Sequence, residues 1–278
     1  VKIDLAGIIK RAGKTRQRYV VGREIVPTAA QEQALRNIYM RVVRGWLVEW
    51  SDRILPVYRR SLEALPLIGD SVEGADETIE DAGSLMSRLV LTLGADLEDW
   101  AVRVETWHRK QFASSFTAAG VRLDTLLGPA EAKVTLQATL AENLSLIRSL
   151  NDQQRNGISG AVFRGLNNRT PAREVAREIR KVAEVGQKRA ELIAADQLQK
   201  VSARLDQERQ QQVGADEFDW VHSRKKFPRP EHIVREGKRY AWDSDVGKND
   251  PPGRAIRCGC RARPVIDLEK LLAEGDDD

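Results

Sequence analysis

RTPAREVAREIRKVAEVGQKRAELIAADQLQKVSARLDQERQQQVGADEFDWVHS, residues 169–223, contains both of the periodicities that decide the fold. Thr170 can accept the free amides of a helix start, and Pro171 fits the first helical position without losing a bond. Val175, Ile179 and Val182 then share one face at three- and four-residue steps, with Gly186 as the expected stop. Ala190, Ile193, Ala194, Gln197, Val201 and Leu205 define a second helix, expected to run to Gly214. Beyond that glycine the texture changes, because Phe218-Asp219-Trp220-Val221-His222-Ser223 alternates apolar and polar side chains as a strand does. The stretch therefore predicts a short helix, a tight turn and a longer helix, followed by a small strand unit.

Upstream the pattern stays helical. From Pro27, with Thr28 as cap, Leu35, Ile38, Tyr39, Val42, Val43, Trp46, Leu47 and Trp50 recur at helical spacing, and Pro56 is expected to end or kink the helix. Pro66 and Gly69 are read as breaks. Asp70, Glu73, Asp76, Glu77, Glu80 and Asp81 follow without a base among them, which reads as a solvated acidic linker. Leu85, Leu89, Val90, Leu93, Leu97, Trp100, Val104 and Trp107 resume helical spacing, and Asn143–Leu150 with Ile158, Val162, Phe163 and Leu166 extends it to Asn167. Trp46, Trp50, Trp100 and Trp107 sit at core-like positions, where packing is their ordinary role.

Downstream, Gly237-Lys238 precedes Tyr240-Ala241-Trp242, and Pro251-Pro252-Gly253 precedes AIRCGCRARPVI, a loop-and-strand texture. The predicted fold is mainly α with a small α+β carboxy-terminal module. Its expected divisions are an amino-terminal helical region (1–68), an acidic linker (69–82), a helical body (83–150), a helical hairpin (151–214), a basic strand-and-loop module (215–270) and an acidic tail (271–278).

Composition narrows the class. The 278 residues are 41% hydrophobic and 31% charged, a balance that permits a buried core with a large polar surface. No run approaches the roughly 20 apolar residues of a membrane span, and the start VKIDLAGIIKRAG lacks a signal-peptide pattern, so no membrane partner is expected. The net charge of +4 is mild, but between Arg224 and Arg263 twelve Lys and Arg face five acids. Cys258 and Cys260, the only cysteines, are one residue apart, which strains any disulfide between them.

Several of these phrases occur together in a known order: RAELIAADQLQK, FDWVHS, Arg229-Pro230-Glu231-His232, a Gly-Lys turn, Trp242-Asp243, then PPGRAIRCGCRARPVI. Over residues 141–267 the sequence resembles the carboxy-terminal part of the phage Mu F-like head morphogenesis family. The matching positions are Arg189, Ala190, Asp196, Gln197, Trp220, His232, Gly237, Trp242, Pro252, Ile256, Cys258 and Cys260. Gly259 stands where that family often has Arg, and Arg235-Glu236 precedes Gly237 where an acidic or small residue is usual. The resemblance implies a minor head protein of a tailed phage or prophage. Such a protein acts in procapsid assembly through portal, scaffold and other head proteins, or in DNA packaging or delivery. It would reside in the virion, at the head interior or portal vertex, and in the host cytoplasm during assembly. The resemblance implies no catalytic residue and no cofactor.

Three kinds of site are weighed beside this. His222, His232, Cys258 and Cys260 supply four nitrogen and sulfur donors, the number a structural zinc takes, but cysteines in zinc sites usually stand two to four residues apart. The ordinary reading makes the cysteines small buried hydrophobes on a strand. A Cys/His hydrolase lacks any orienting Asn or Asp recognisable by spacing, and Asp243 and Asp245 read as turn residues. Arg224, Lys225, Lys226, Arg229, Arg235, Lys238 and Arg239, beside Trp220 and Tyr240, suit contact with double-stranded DNA phosphates with weak sequence preference, or else form a solvated face. A nucleic-acid-binding accessory protein of the head is therefore the second reading, and a metal-dependent or Cys-based hydrolase the third.

Overall fold

The computed structural model describes residues 18–63, 69–117 and 132–270. The expectations for residues 1–17, the Pro66 break and the tail at 271–278 lie outside these residues. In chain order the elements are β1 (Tyr19–Val21), α1 (Ala29–Glu49), a π-turn (Trp50–Ile54), α2 (Leu55–Glu63), α3 (Gly69–Ser115), α4 (Lys133–Asn167), α5 (Ala172–Gln212), β2 (Glu217–Val221), α6 (Pro230–Ile233), β3 (Arg239–Ala241), α7 (Asp245–Asn249) and β4 (Arg261–Asp267). This is the expected helical protein with a small sheet near its carboxy terminus. No described helix is long and apolar enough to cross a membrane.

Local chemistry explains the element ends. Thr28 and Gln31 form a reciprocal cap at the start of α1, the Gln31 amide donating to Thr28 Oγ1 at 3.3 Å and the Thr28 amide to Gln31 Oε1 at 2.8 Å. Pro56 does not end the helical path. The Leu55 amide donates to Trp50 O, and this wider turn just before the proline absorbs the bond the ring cannot make.

Three expectations change. The acidic stretch expected as a linker is helical, since α3 begins at Gly69. Its acids are spread around successive turns, which a solvated helix face accommodates. Gly186 does not end a helix, because α5 runs unbroken from Ala172 to Gln212. A Cβ at Gly186 would stand 2.3 Å from Gln154 Nε2, so the glycine serves the close approach of α4 and α5. The third change is β1, a strand within a region expected to be helical.

The described residues fall into two compact units. One draws on residues 32–63, 69–100 and 140–195. Its core includes Leu35, Trp46, Ile54, Tyr58, Leu93, Trp100, Ile147 and Ile158, all buried. Two buried hydrogen bonds cross between its helices: Tyr39 Oη donates to Asn143 Oδ1 and Trp46 Nε1 to Asn151 Oδ1, each at 2.8 Å.

The other unit draws on residues 18–31, 101–117, 132–139 and 196–270. Its sheet has the order β1-β4-β2-β3 with every pair antiparallel. Phe218 lies opposite Tyr240 and Pro264, and Trp220 opposite Ala262. One core cluster joins Val20, Ile25, Phe112, Phe116, Val213, Ala215 and Ile266; a second joins Phe218, Trp220, Trp242, Cys258, Cys260 and Ala262. Between α3, α5 and β4 lies a buried charged layer. Arg209 pairs with Glu105, and His108 Nε2 lies 3.0 Å from Asp206 Oδ1.

Candidate functional site

The second core cluster is where chemistry concentrates. β2 supplies Trp220, the single turn α6 supplies His232, and the chain entering β4 supplies Cys258 and Cys260. Pro230 opens α6 at a position that needs no backbone donor. The cysteines stand immediately before β4 rather than on it. A turn in which the Cys258 amide donates to Ala255 O at 2.9 Å delivers them. Arg257 holds the left-handed conformation of that turn (φ 58), and Asp196 on α5 accepts from the Arg257 amide at 2.6 Å while pairing with Lys200 Nζ at 2.8 Å. Gly253 (φ 81) is also required, because a Cβ there would lie 2.6 Å from Ala203 Cβ.

His232 Nδ1 lies 3.5 Å from Cys258 Sγ and 3.7 Å from Cys260 Sγ. Its other nitrogen, Nε2, is 3.1 Å from Asp250 Oδ2. A carboxylate only accepts, so Nε2 donates to Asp250, and Nδ1 faces the two sulfurs. Asp250 is itself held by Arg235 Nη1 at 2.6 Å, and the Arg235 guanidinium lies 4.9 Å over the Trp220 ring. Trp220 meets His232 edge to face at 5.0 Å. The imidazole is thereby fixed on three sides.

The two thiols are shifted in opposite directions. A hydrogen bond from the Cys260 side chain, with backbone amides of Cys260 and Gly253 and the nearby His232, lowers the Cys258 thiol to about 5 against the effect of burial. Cys260, as the donor in that bond and as a buried group, is raised. The Ser223 amide and the Trp220 side chain favour its ionised form, and the Trp220 indole nitrogen is buried without a partner of ordinary hydrogen-bond geometry. Arg261 is lowered by burial, opposed by Asp206 and both cysteines.

Of the four donors weighed for a metal and set aside, three come together. His222 stands apart, its Nδ1 accepting from the Arg224 amide at 3.1 Å, while His232, Cys258 and Cys260 place their ligand atoms within 4.8 Å of one another. Spacing alone argues against both sulfurs reaching one centre, yet both lie beside His232 Nδ1; a Cβ at the buried Gly259 between them would meet Lys225 Cε at 2.7 Å and Ser223 Cβ at 2.9 Å. Asp250 escapes sequence reasoning, since it stands eight residues before Cys258 with no motif to mark it.

Residues 156–263 match the family described as Phage Mu protein F like protein. The matched segment thus contains the whole Cys/His cluster and all of α5. The chain is also 29% identical over 139 residues to an uncharacterized protein of Haemophilus influenzae, an alignment covering 50% of this chain and 31% of that relative. The match spans about a third of that relative's length. No solved structure matches the chain.

Within the Mu F-like segment the signature positions have separate tasks. Arg189 Nη1 donates to Ser149 O at 3.3 Å and Gln153 Oε1 at 2.6 Å, fastening α5 to α4. Gln197 is buried. Gly237 (φ 70) closes the turn into β3, its amide donating to Trp220 O at 2.9 Å. Trp242 Nε1 donates to Gln210 Oε1 at 3.2 Å, and Pro252 is buried beside Gly253.

The basic cluster divides by role. Lys225 Nζ donates to Arg257 O and Arg229 Nη2 to Ile256 O, each at 3.0 Å, so both clamp the cysteine turn. Arg235 serves Asp250, and Arg239 pairs with Asp219 at 2.8 Å while lying 4.6 Å over the Tyr19 ring. Arg224, Lys226 and Lys238 are exposed, Arg224 at 4.0 Å from Glu236. Asp245 opens α7 and accepts from Asn249 Nδ2, and Asp243 is exposed.

Proposed function

We propose that the protein is a minor head protein of a tailed phage or prophage that acts in head morphogenesis. It does so by association with the portal and other head proteins rather than by catalysis. The observation that carries this reading is the match of residues 156–263 to the Mu F-like family. The burial of Cys258, Cys260 and His232, each no more than 4% exposed, supports a structural rather than a hydrolytic role, since nucleophilic cysteines sit where substrate can reach them.

Deleting the gene from an inducible prophage and viewing the lysate by electron microscopy tests it. Aberrant or DNA-poor heads, restored by the full chain in trans, are expected, with the chain and the portal protein co-purifying from procapsids. Normal heads at normal titre in the deletion would sink the reading.

A second reading, contact with packaged DNA, draws on the exposed Arg224, Lys226 and Lys238. Their joint replacement by Ala should flatten the salt dependence of DNA binding by the full chain, by about 0.9 in slope for each phosphate that is no longer neutralised. Equal slopes for the two proteins would remove it.

A further inference from the structure

The arrangement around His232 is one that a metal ion makes. In a tetrahedral zinc site, bonds of about 2.3 Å to sulfur and about 2.0–2.1 Å to nitrogen put each sulfur about 3.5–3.6 Å from the nitrogen. Cys258 Sγ and Cys260 Sγ lie at 3.5 and 3.7 Å from His232 Nδ1. One linear hydrogen bond at Nδ1, whether accepted from a thiol or donated to a thiolate, does not explain both distances. Two sulfurs converging on one ring nitrogen are explained by an ion held among the three atoms.

From this geometry we infer that Cys258, Cys260 and His232 bind a soft divalent cation, zinc by preference, with Asp250 as the carboxylate that orients the histidine. Thiolate and imidazole donors select zinc over magnesium or calcium, which take oxygen ligands. The His232 Nε2 contact with Asp250 at 3.1 Å is the outer contact that metal-ligating histidines usually make, fixing the tautomer and ring orientation.

Two further observations fit this site. The Trp220 indole nitrogen, buried and lacking an ordinary acceptor, and the amides of Gly253, Cys260 and Ser223, directed at the sulfurs, together supply the donors that thiolates accept. Arg235 pairs with Asp250, and two cysteines bound as thiolates would match the charge of a dication. Such an ion would tie α6 to the entry of β4, joining segments 26 and 28 residues apart. Three protein ligands leave the fourth position to an exchangeable ligand.

The test uses the full, untagged chain, with zinc measured by elemental analysis and cobalt substituted for the spectrum. About one zinc per chain is expected, and the cobalt form should show thiolate-to-metal charge-transfer absorption. Cys258→Ser, Cys260→Ser and His232→Gln should lose the metal, while His232→Cys keeps it by supplying another soft donor. Asp250→Asn should weaken affinity by about 10- to 100-fold. The cobalt spectrum of the unmodified chain decides the matter even where a variant fails to fold. A cooperatively folded chain that takes up neither zinc nor cobalt from excess overturns the inference. So does zinc retained in full by all three ligand variants, or rapid selective alkylation of Cys258 in protein saturated with zinc, which would mark a nucleophile.

Discussion

Asp196 is distant in sequence from the cysteines, yet it fixes the path of the turn that presents them. Its carboxylate accepts the amide of Arg257, a residue in a conformation that only a well-supported turn sustains. A hydrogen bond to a charged group contributes about 1.5–3 kcal/mol, so Asp196→Ala should lower the unfolding free energy by roughly that amount in urea titrations, and Asp196→Asn by less. A change within experimental scatter would mean the turn is held by Lys225 and Arg229 alone. Tyr39 is a second residue with a calculable consequence. Burial, with Glu142 adding to it, raises its phenol above the ordinary 10.0. The folded chain thus favours the neutral form. The stability this contributes is intact below pH about 10 and declines as pH rises above it toward the raised folded value, at about 1.4 kcal/mol per pH unit. Alkaline unfolding curves of the native chain and Tyr39→Phe should therefore diverge above pH about 10, the native chain falling more steeply; parallel curves would refute the assignment.

At the scale of elements, α4 and α5 are packed closely enough that glycine is needed. A Cβ on Gly157 would lie 2.6 Å from Val182 Cγ1 and 3.1 Å from Cγ2, and a β-branched side chain has little freedom to turn aside. Gly157→Ala brings about 1 kcal/mol of helix propensity but about 1–3 kcal/mol of overpacking, so the melting temperature should fall. Combining it with Val182→Ala should restore more than additivity allows; a rise in melting temperature for Gly157→Ala alone would show that the helices yield freely. The same glycines explain what sequence can and cannot disclose. Long apolar periodicity is readable in α1, α3 and α5, and so is the alternation of Phe218 and Trp220, because each is a local pattern. Gly186 reads locally as a stop, and only the position of Gln154 reveals it as a point of close approach. Tyr19-Val20-Val21 is too short to show alternation and becomes a strand through its register with Val265, Ile266 and Asp267. At the candidate site, His232 and the cysteines stand out by residue type. Asp250 and Asp196 do not, because their roles come from pairing across 18 and 61 residues.

For the molecule as a whole, the family match and the folding unit do not coincide. Residues 156–263 include α5, β2, β3 and the Cys/His cluster, but the hydrophobic cluster that supports Val213 and Ala215 also needs Phe112 and Phe116 from α3 and Val20 and Ile25 from the amino-terminal segment. The buried guanidinium of Arg209 likewise takes Glu105, on α3, as its partner. Cutting the chain at the family boundaries would expose that apolar face and strip Arg209 of its carboxylate, and breaking a buried pair of this kind costs about 3–5 kcal/mol, a large share of the roughly 5–15 kcal/mol by which a domain is stable. The fragment 156–263 should therefore keep helical circular dichroism from α5 while losing cooperative thermal unfolding and binding a hydrophobic dye. A fragment that melts as sharply as the full chain would show that the Mu F-like segment folds alone. The outcome bears on function because partners that grip this segment would then be recognising a surface whose shape depends on residues far outside it.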